Sequence, residues 1–246
     1  MRKERKKKNG KVWLWRVLLI LLLIVSLGLI FNEQIKLFVV DHMSQNSLNT
    51  AQQLTADDVA NNKKNVKKAN YTFKSVESLD LSVVSKAALN RNLKPIGLMA
   101  VPSVNVHLPI LAGIANTNLV VGAGTMKPDQ VMGKRNYALA GHHIPHTKVL
   151  FTPLENAKLG EKIYLTDMKQ IYTYTISLDK VVDKSQVQYI NDVPGKTMVT
   201  LITCASQMEG QPERRVIQGD LTSTKKANKK QLTKIFGAKV TKKVKK

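Results

Sequence analysis

Apolar residues fall along this chain in three regimes. From Val17 to Phe31 they run on without a single charge. Counting back to Val12, with Arg16 snorkelling, gives about the 20 residues that cross a bilayer. From 36 to about 69 the pattern turns polar (Ser44-Gln45-Asn46, Gln52-Gln53, Asn61-Asn62-Lys63-Lys64-Asn65), which predicts a stalk, partly helical at most. Leu79, Leu81, Val83-Val84 and Ala87-Ala88-Leu89 then fit a short amphipathic helix, with Ser75 as its cap and Ser78 as the alternative. From Pro95 onward the apolar runs are short, β-branched and punctuated by Gly, Pro, Asn and Asp. They predict strands at 96–101, 104–112, 119–121, 137–140, 162–165, 171–178, 198–204 and 216–221, with a loop or one helical turn at 151–159. With no long helix between them, these strands point to an all-β, mostly antiparallel sheet closed as a barrel or sandwich.

Charge refines this division. The chain carries 39 Lys and Arg against 17 Asp and Glu, a net +22. Residues 1–16 hold eight basic side chains and one Glu, and residues 225–246 hold ten and no acid, so the middle is left with 21 basic and 16 acidic residues. A domain so mildly basic gives no support to nucleic-acid binding. The two ends read as basic tails suited to anionic surfaces. Trp13 and Trp15 flank the apolar run where an interfacial aromatic belt belongs, and the basic N-terminal flank holds that end in the cytoplasm. The alternative, a cleaved signal peptide, lacks an A-x-A-like site after the run. The expected organisation is a cytoplasmic tail at 1–16, a membrane anchor at 17–35, a stalk at 36–75, an extracellular domain at 76–224 and a tail at 225–246.

The chain has one cysteine, Cys204, at the end of the run Met198-Val199-Thr200-Leu201-Ile202-Thr203-Cys204. It cannot form an intrachain disulfide, so a packed core must supply the stability. An inert buried thiol is the commoner fate of cysteine, but an exported domain with one unpaired thiol favours a reactive one. A thiolate is the useful nucleophile towards an amide; an imidazolium or guanidinium nearby stabilises it, and a His can carry the proton. Of the five histidines, His42 and His107 read as structural or surface residues. His142, His143 and His146 invite a zinc reading. However, adjacent residues on a strand face opposite ways, so His142 and His143 are poor co-ligands, and only one of them can meet Cys204. The same alternation puts Thr200, Ile202 and Cys204 on one face, lining a groove, with Leu201 in the core. Beyond it Pro212-Glu213-Arg214-Arg215-Val216-Ile217, with Arg214 ten residues after Cys204, opens another strand. Ile217 and Leu221 claim the core, so Arg214 faces the groove with Val216 and Gln218, while Arg215 bends outward at the strand's start.

The run Thr200-Leu201-Ile202-Thr203-Cys204, the segment Leu139-Ala140-Gly141-His142 and the Arg after the Cys, in this order, resemble the class A (housekeeping) sortases of Gram-positive bacteria over residues 76–224. The resemblance implies an eight-stranded β-barrel with short helices. It also implies a membrane-anchored cysteine transpeptidase that cleaves an LPxTG-type sorting signal between Thr and Gly and joins the exported surface protein to an amine of a lipid-linked peptidoglycan precursor. It selects His142 as the catalytic histidine beside Cys204 and Arg214, and it makes Thr200 and Ile202 the floor of the substrate groove. No cofactor is expected. Some class A sortases hold calcium on acidic residues before the catalytic His. Here that segment is Gln130-Val131-Met132-Gly133-Lys134-Arg135-Asn136, with Asp129 alone, so no metal site is expected. Two alternatives are a pilus-type sortase, whose Asp-Pro-aromatic lid and second membrane helix do not occur here, and a non-catalytic wall-binding module held by its Lys-rich ends.

Overall fold

The computed structural model describes residues 6–73, 76, 79–89, 93–145, 147–205 and 211–237. The chain divides into two units, Met1–Val39 and Val40–Lys246. The first is helical. Helix α1 (Lys6–Ile30) contains Val12–Ile30, 19 residues of mean hydropathy 2.5 with exposed apolar side chains, long and apolar enough to cross a membrane. Hydrogen bonds from Phe31 to Leu27 and from Ile35 to Phe31 carry the helical path on into α2 (Asn32–Gln52), which ends in the second unit.

The second unit is a closed barrel of eight strands in the order β1-β2-β3-β4-β7-β8-β6-β5. The strands are β1 (Gly97–Val101), β2 (Val106–Leu111), β3 (Ala123–Thr125), β4 (Asn136–Ala140), β5 (Lys162–Thr166), β6 (Gln170–Asp183), β7 (Met198–Cys204) and β8 (Glu213–Lys226). Pairing is antiparallel except between β2 and β3 and between β4 and β7, which run parallel. Alternate side chains point inward: Leu139, Ile163, Leu165, Tyr174, Val199, Leu201 and Ile217 are all fully or almost fully buried. Closure gives each strand a neighbour on both sides.

Three expectations change. Residues 119–121, read as a strand, close a helical turn, α5 (Asn116–Leu119), and β3 starts at Ala123. A short buried apolar run fits either state by periodicity. The turn wins because the N–H groups of 118–122 bond back to carbonyls at 115–118 and Asn118 donates to the carbonyl of Ala112. Helix α4 (Leu81–Leu89) is capped by Asp80, whose carboxylate accepts the Val83 N–H; Ser75 and Ser78 lie outside the described residues.

The stalk and the C-terminal tail are not free segments from Val40 to Phe236. Leu48 and Ala51 of α2, Val59 of α3 (Ala56–Lys63), and Leu232 and Phe236 of α6 (Lys229–Phe236) pack in one cluster with Leu98, Ala100, Met168 and Ile171 of the barrel. The Gln52 amide donates to the Phe236 carbonyl, and the Ile114 N–H donates to the Asn70 carbonyl, fastening the polar segment down. Its sparse apolar residues sit at helical spacing, which is enough to seat a helix on an apolar wall. In α6, Asn228 caps the N-terminus and Gly237 closes the other end in the left-handed conformation.

Candidate active site

Strands β4 and β7 run parallel in the register Asn136↔Met198 to Ala140↔Ile202, so their C-terminal ends emerge side by side. The Gly141 N–H donates to the Ile202 carbonyl at 3.2 Å, and the Thr203 hydroxyl donates to the Gly141 carbonyl at 2.8 Å. The next residue on each chain is His142 and Cys204. Gly141 is required there by space alone: a Cβ would lie 2.6 to 2.9 Å from carbons of the Phe151 ring. Strand β8 runs antiparallel on the other side, with Arg214 directly opposite Cys204, Val216 opposite Ile202 and Gln218 opposite Thr200. Directly opposed residues share a face. One face therefore presents Cys204, Ile202, Arg214 and Val216, as strand alternation predicted.

His142 is buried, and burial pushes its imidazole down to about 4, so it is neutral near pH 7. Its Nε2 has no hydrogen-bond partner among the described residues. A neutral imidazole has one ring nitrogen free to accept a proton. His143 has its Nε2 3.4 Å from a carboxylate oxygen of Glu155 in the turn Thr152–Asn156, and its buried Nδ1 has no hydrogen-bond partner among the described residues. Both histidines lie beyond Ala140, where β4 ends, so strand alternation does not govern them, and His146 lies outside the described residues. Cys204 is partly exposed. Arg214 is also partly exposed, and its Nη1 donates to the carbonyls of Gln211 and Glu213. Arg215 is on the opposite face from Arg214, where its Nε and Nη2 grip both carboxylate oxygens of Asp179 on β6, at 2.8 and 2.5 Å.

Beside the Cys–His end runs an apolar strip. Ile202, Ala140 and Ile190 are partly buried and pack on Ile114, Leu119, Met126 and Ala138. Ile190 comes from the turn Val187–Ile190 in the β6–β7 connection, so that connection forms one wall. Thr200 differs from its expected role. It has no exposed surface, and its hydroxyl is held by Asn136 and Gln218 beneath the Tyr189 backbone. It supports this wall and does not form an open groove floor. The sequence placed Gln218 on the groove face without a role and missed Asn136, Tyr189 and Glu155; nothing in the pattern marks these three. Among the described residues no group of three His, Cys, Asp or Glu side chains could hold a metal ion. The carboxylates before β4 and after β6 are bridged by cations: Asp192 by Lys127 and Arg135, and Asp129 by Arg135.

A family model described as a sortase domain matches residues 99–222. The chain is 40% identical to sortase A of Streptococcus agalactiae over 90% of both chains. It is also 40% identical to sortase A of Listeria monocytogenes, over 91% of this chain and 99% of that protein. The crystal structure of Listeria monocytogenes sortase A superposes with a TM-score of 0.57 at 43% identity, covering 59% of this chain and 99% of that one. A sortase C-1 from Actinomyces oris, at 20% identity and a TM-score of 0.52, shares the fold.

Proposed function

The chain belongs to the sortase family, among its class A members, and on that premise we propose that it cleaves an LPxTG-type sorting signal between Thr and Gly and passes the acyl group to a peptidoglycan precursor. It is a cysteine transpeptidase that anchors surface proteins. The observation that carries the residue-level reading is the register that sets Arg214 opposite Cys204 and ends the β4–β7 pairing at Ala140 and Ile202, two residues before His142 and Cys204.

The roles follow from the chemistry. The neutral His142 takes the proton from Cys204 as Sγ attacks the Thr carbonyl carbon. The guanidinium of Arg214 donates to the oxyanion as the carbonyl becomes tetrahedral. Collapse breaks the Thr–Gly bond, with the His142 proton going to the departing glycine amine. The thioester on Cys204 is then attacked by the acceptor amine, His142 takes a proton from that amine, and the thiolate leaves as the new amide forms and takes that proton back from His142. The strip around Ile202, Ala140 and Ile190 suits the Leu and Pro side chains of the signal. The apolar helix Val12–Ile30 with its basic N-terminal flank fits a single-pass anchor with the N-terminus in the cytoplasm and the catalytic unit outside. Exported LPxTG proteins and the lipid-linked precursor are the partners. No step needs a cofactor.

The test is intact-mass spectrometry of the enzyme mixed with a sorting-signal peptide. An adduct on Cys204 equal to the peptide up to its Thr supports the reading. Cys204→Ala should give no adduct, cleavage or transfer while keeping its fold; transfer at the wild-type level in that variant overturns the assignment.

A further inference from the structure

Three side chains of the barrel form a closed hydrogen-bond ring against the β6–β7 connection, and we propose that this ring sets the enzyme's grip on its sorting signal by fixing the Ile190 wall. The proposal rests on the transpeptidase reading above.

Counting donors and acceptors fixes the direction of the ring. Gln218 Nε2 has two protons and two partners, the Tyr189 carbonyl at 3.2 Å and Thr200 Oγ1 at 3.1 Å. Thr200 has one proton; its nearer acceptor is Asn136 Oδ1 at 2.8 Å, against 3.3 Å to the Tyr189 carbonyl. Asn136 Nδ2 has two protons and two partners at 2.9 Å, the carbonyls of Tyr189 and Asn191. Every amide and hydroxyl proton of the three side chains is used, and the Tyr189 carbonyl receives one bond from each end of the ring. Asn136 is 1% exposed and Thr200 0%. A buried polar network satisfied in this way has one arrangement and is costly to break.

The ring holds the stretch of chain next to the apolar strip. Tyr189 precedes Ile190, which packs on the same buried cluster as Ile202, two residues before Cys204. One step beyond Asn191, the Asp192 carboxylate accepts the backbone N–H of Asn136 at 3.2 Å as well as the Lys127 ammonium at 2.5 Å. The connection is therefore pinned at 189, 191 and 192, while Val187 and Val193 are exposed. A wall already in place spares the cost of ordering it when substrate arrives. Thr200, Asn136 and Gln218 are thus positioning residues that act through Ile190 on substrate binding and leave the Cys204–His142 chemistry alone.

Thr200→Val and Gln218→Leu keep the volume and remove the donors. With a fluorogenic sorting-signal peptide, each should raise KM about tenfold with kcat within about threefold, and Thr200→Ser should restore KM. The double variant should match the worse single variant, because either change opens the same ring. Ile163→Val, a core change on β5 away from the site, controls for general loss of stability and should leave KM unchanged. Amide exchange of residues 189–192, measured without substrate, should quicken in both ring variants. An unchanged KM, a fall in kcat alone, or unaltered exchange overturns the proposal. If the wild-type protein fails to cleave the peptide, the transpeptidase reading falls, and the exchange result still decides whether the ring holds the connection.

Discussion

Thr203 and Gly141 are joined across β7 and β4 by a 2.8 Å hydrogen bond from the threonine hydroxyl to the glycine carbonyl. Each lies one residue before a member of the proposed catalytic pair, Cys204 and His142. The bond is buried, so it sets the separation of the two strand ends without water competing for either partner.

Removing that hydroxyl should therefore damage chemistry more than binding. Thr203→Val keeps the shape and orphans the Gly141 carbonyl, at a cost of about 1 to 3 kcal/mol. The expected result is a kcat lowered tenfold or more with KM little changed, read by steady-state peptide cleavage. An unchanged kcat would show that the strand ends hold their spacing by backbone bonds alone.

His142→Ala should abolish acylation, whereas His143→Ala should reduce it only a few-fold through loss of the Glu155 contact. Both can be scored by the mass of the Cys204 adduct. A larger defect in His143→Ala would transfer the proton-carrying role to that residue.

For the arginines, Arg214→Lys should fail almost as badly as Arg214→Ala, since a point ammonium cannot reproduce the planar fork at the oxyanion. Arg215→Ala breaks the bidentate pair with Asp179 and should chiefly lower the melting temperature. Comparing kcat/KM with thermal unfolding for the three variants separates the roles.

The depressed imidazole of His142 makes a pH prediction with a definite sign. Unfolded, the group titrates near 6.5; folded, at about 4. Between those values the unfolded chain binds more protons, so this stabilisation is complete above about pH 6.5 and is lost as pH falls towards 4. It amounts to about 3 kcal/mol if fully expressed. Urea midpoints from pH 7.5 to 4.5 should fall more steeply for the wild type than for His142→Gln, which cannot titrate; parallel curves would contradict the burial argument.

The sequence made the barrel and the Cys204 face legible for one reason: the strand period is two, and the apolar pattern at 198–204 and 214–221 leaves a single parity. That parity puts Arg214 on the face of the thiol and Arg215 on the other, as the register has them. It did not reveal that Thr200 is covered, because parity names a face and cannot say which loop lies over it. The β6–β7 connection that covers it carries no periodic signal. The docked helices α2, α3 and α6 were hidden by composition. Each has only one to three buried apolar residues among Lys, Asn and Gln, so averages over the segment read as tail and stalk, although Leu232 and Phe236 stand one helical turn apart.

The docking of those helices means that the cooperative folding unit extends well beyond the residues recognised as the family's domain. Leu98, Ala100, Met168 and Ile171 form an oily outer wall of the barrel that is dry only while residues from both ends of the chain lie on it. A recombinant fragment cut at 76 and 224 would expose that wall to solvent and should aggregate or melt early, whereas one running from 40 to 237 should be monomeric and soluble. Where the chain is trimmed thus decides whether this wall stays covered.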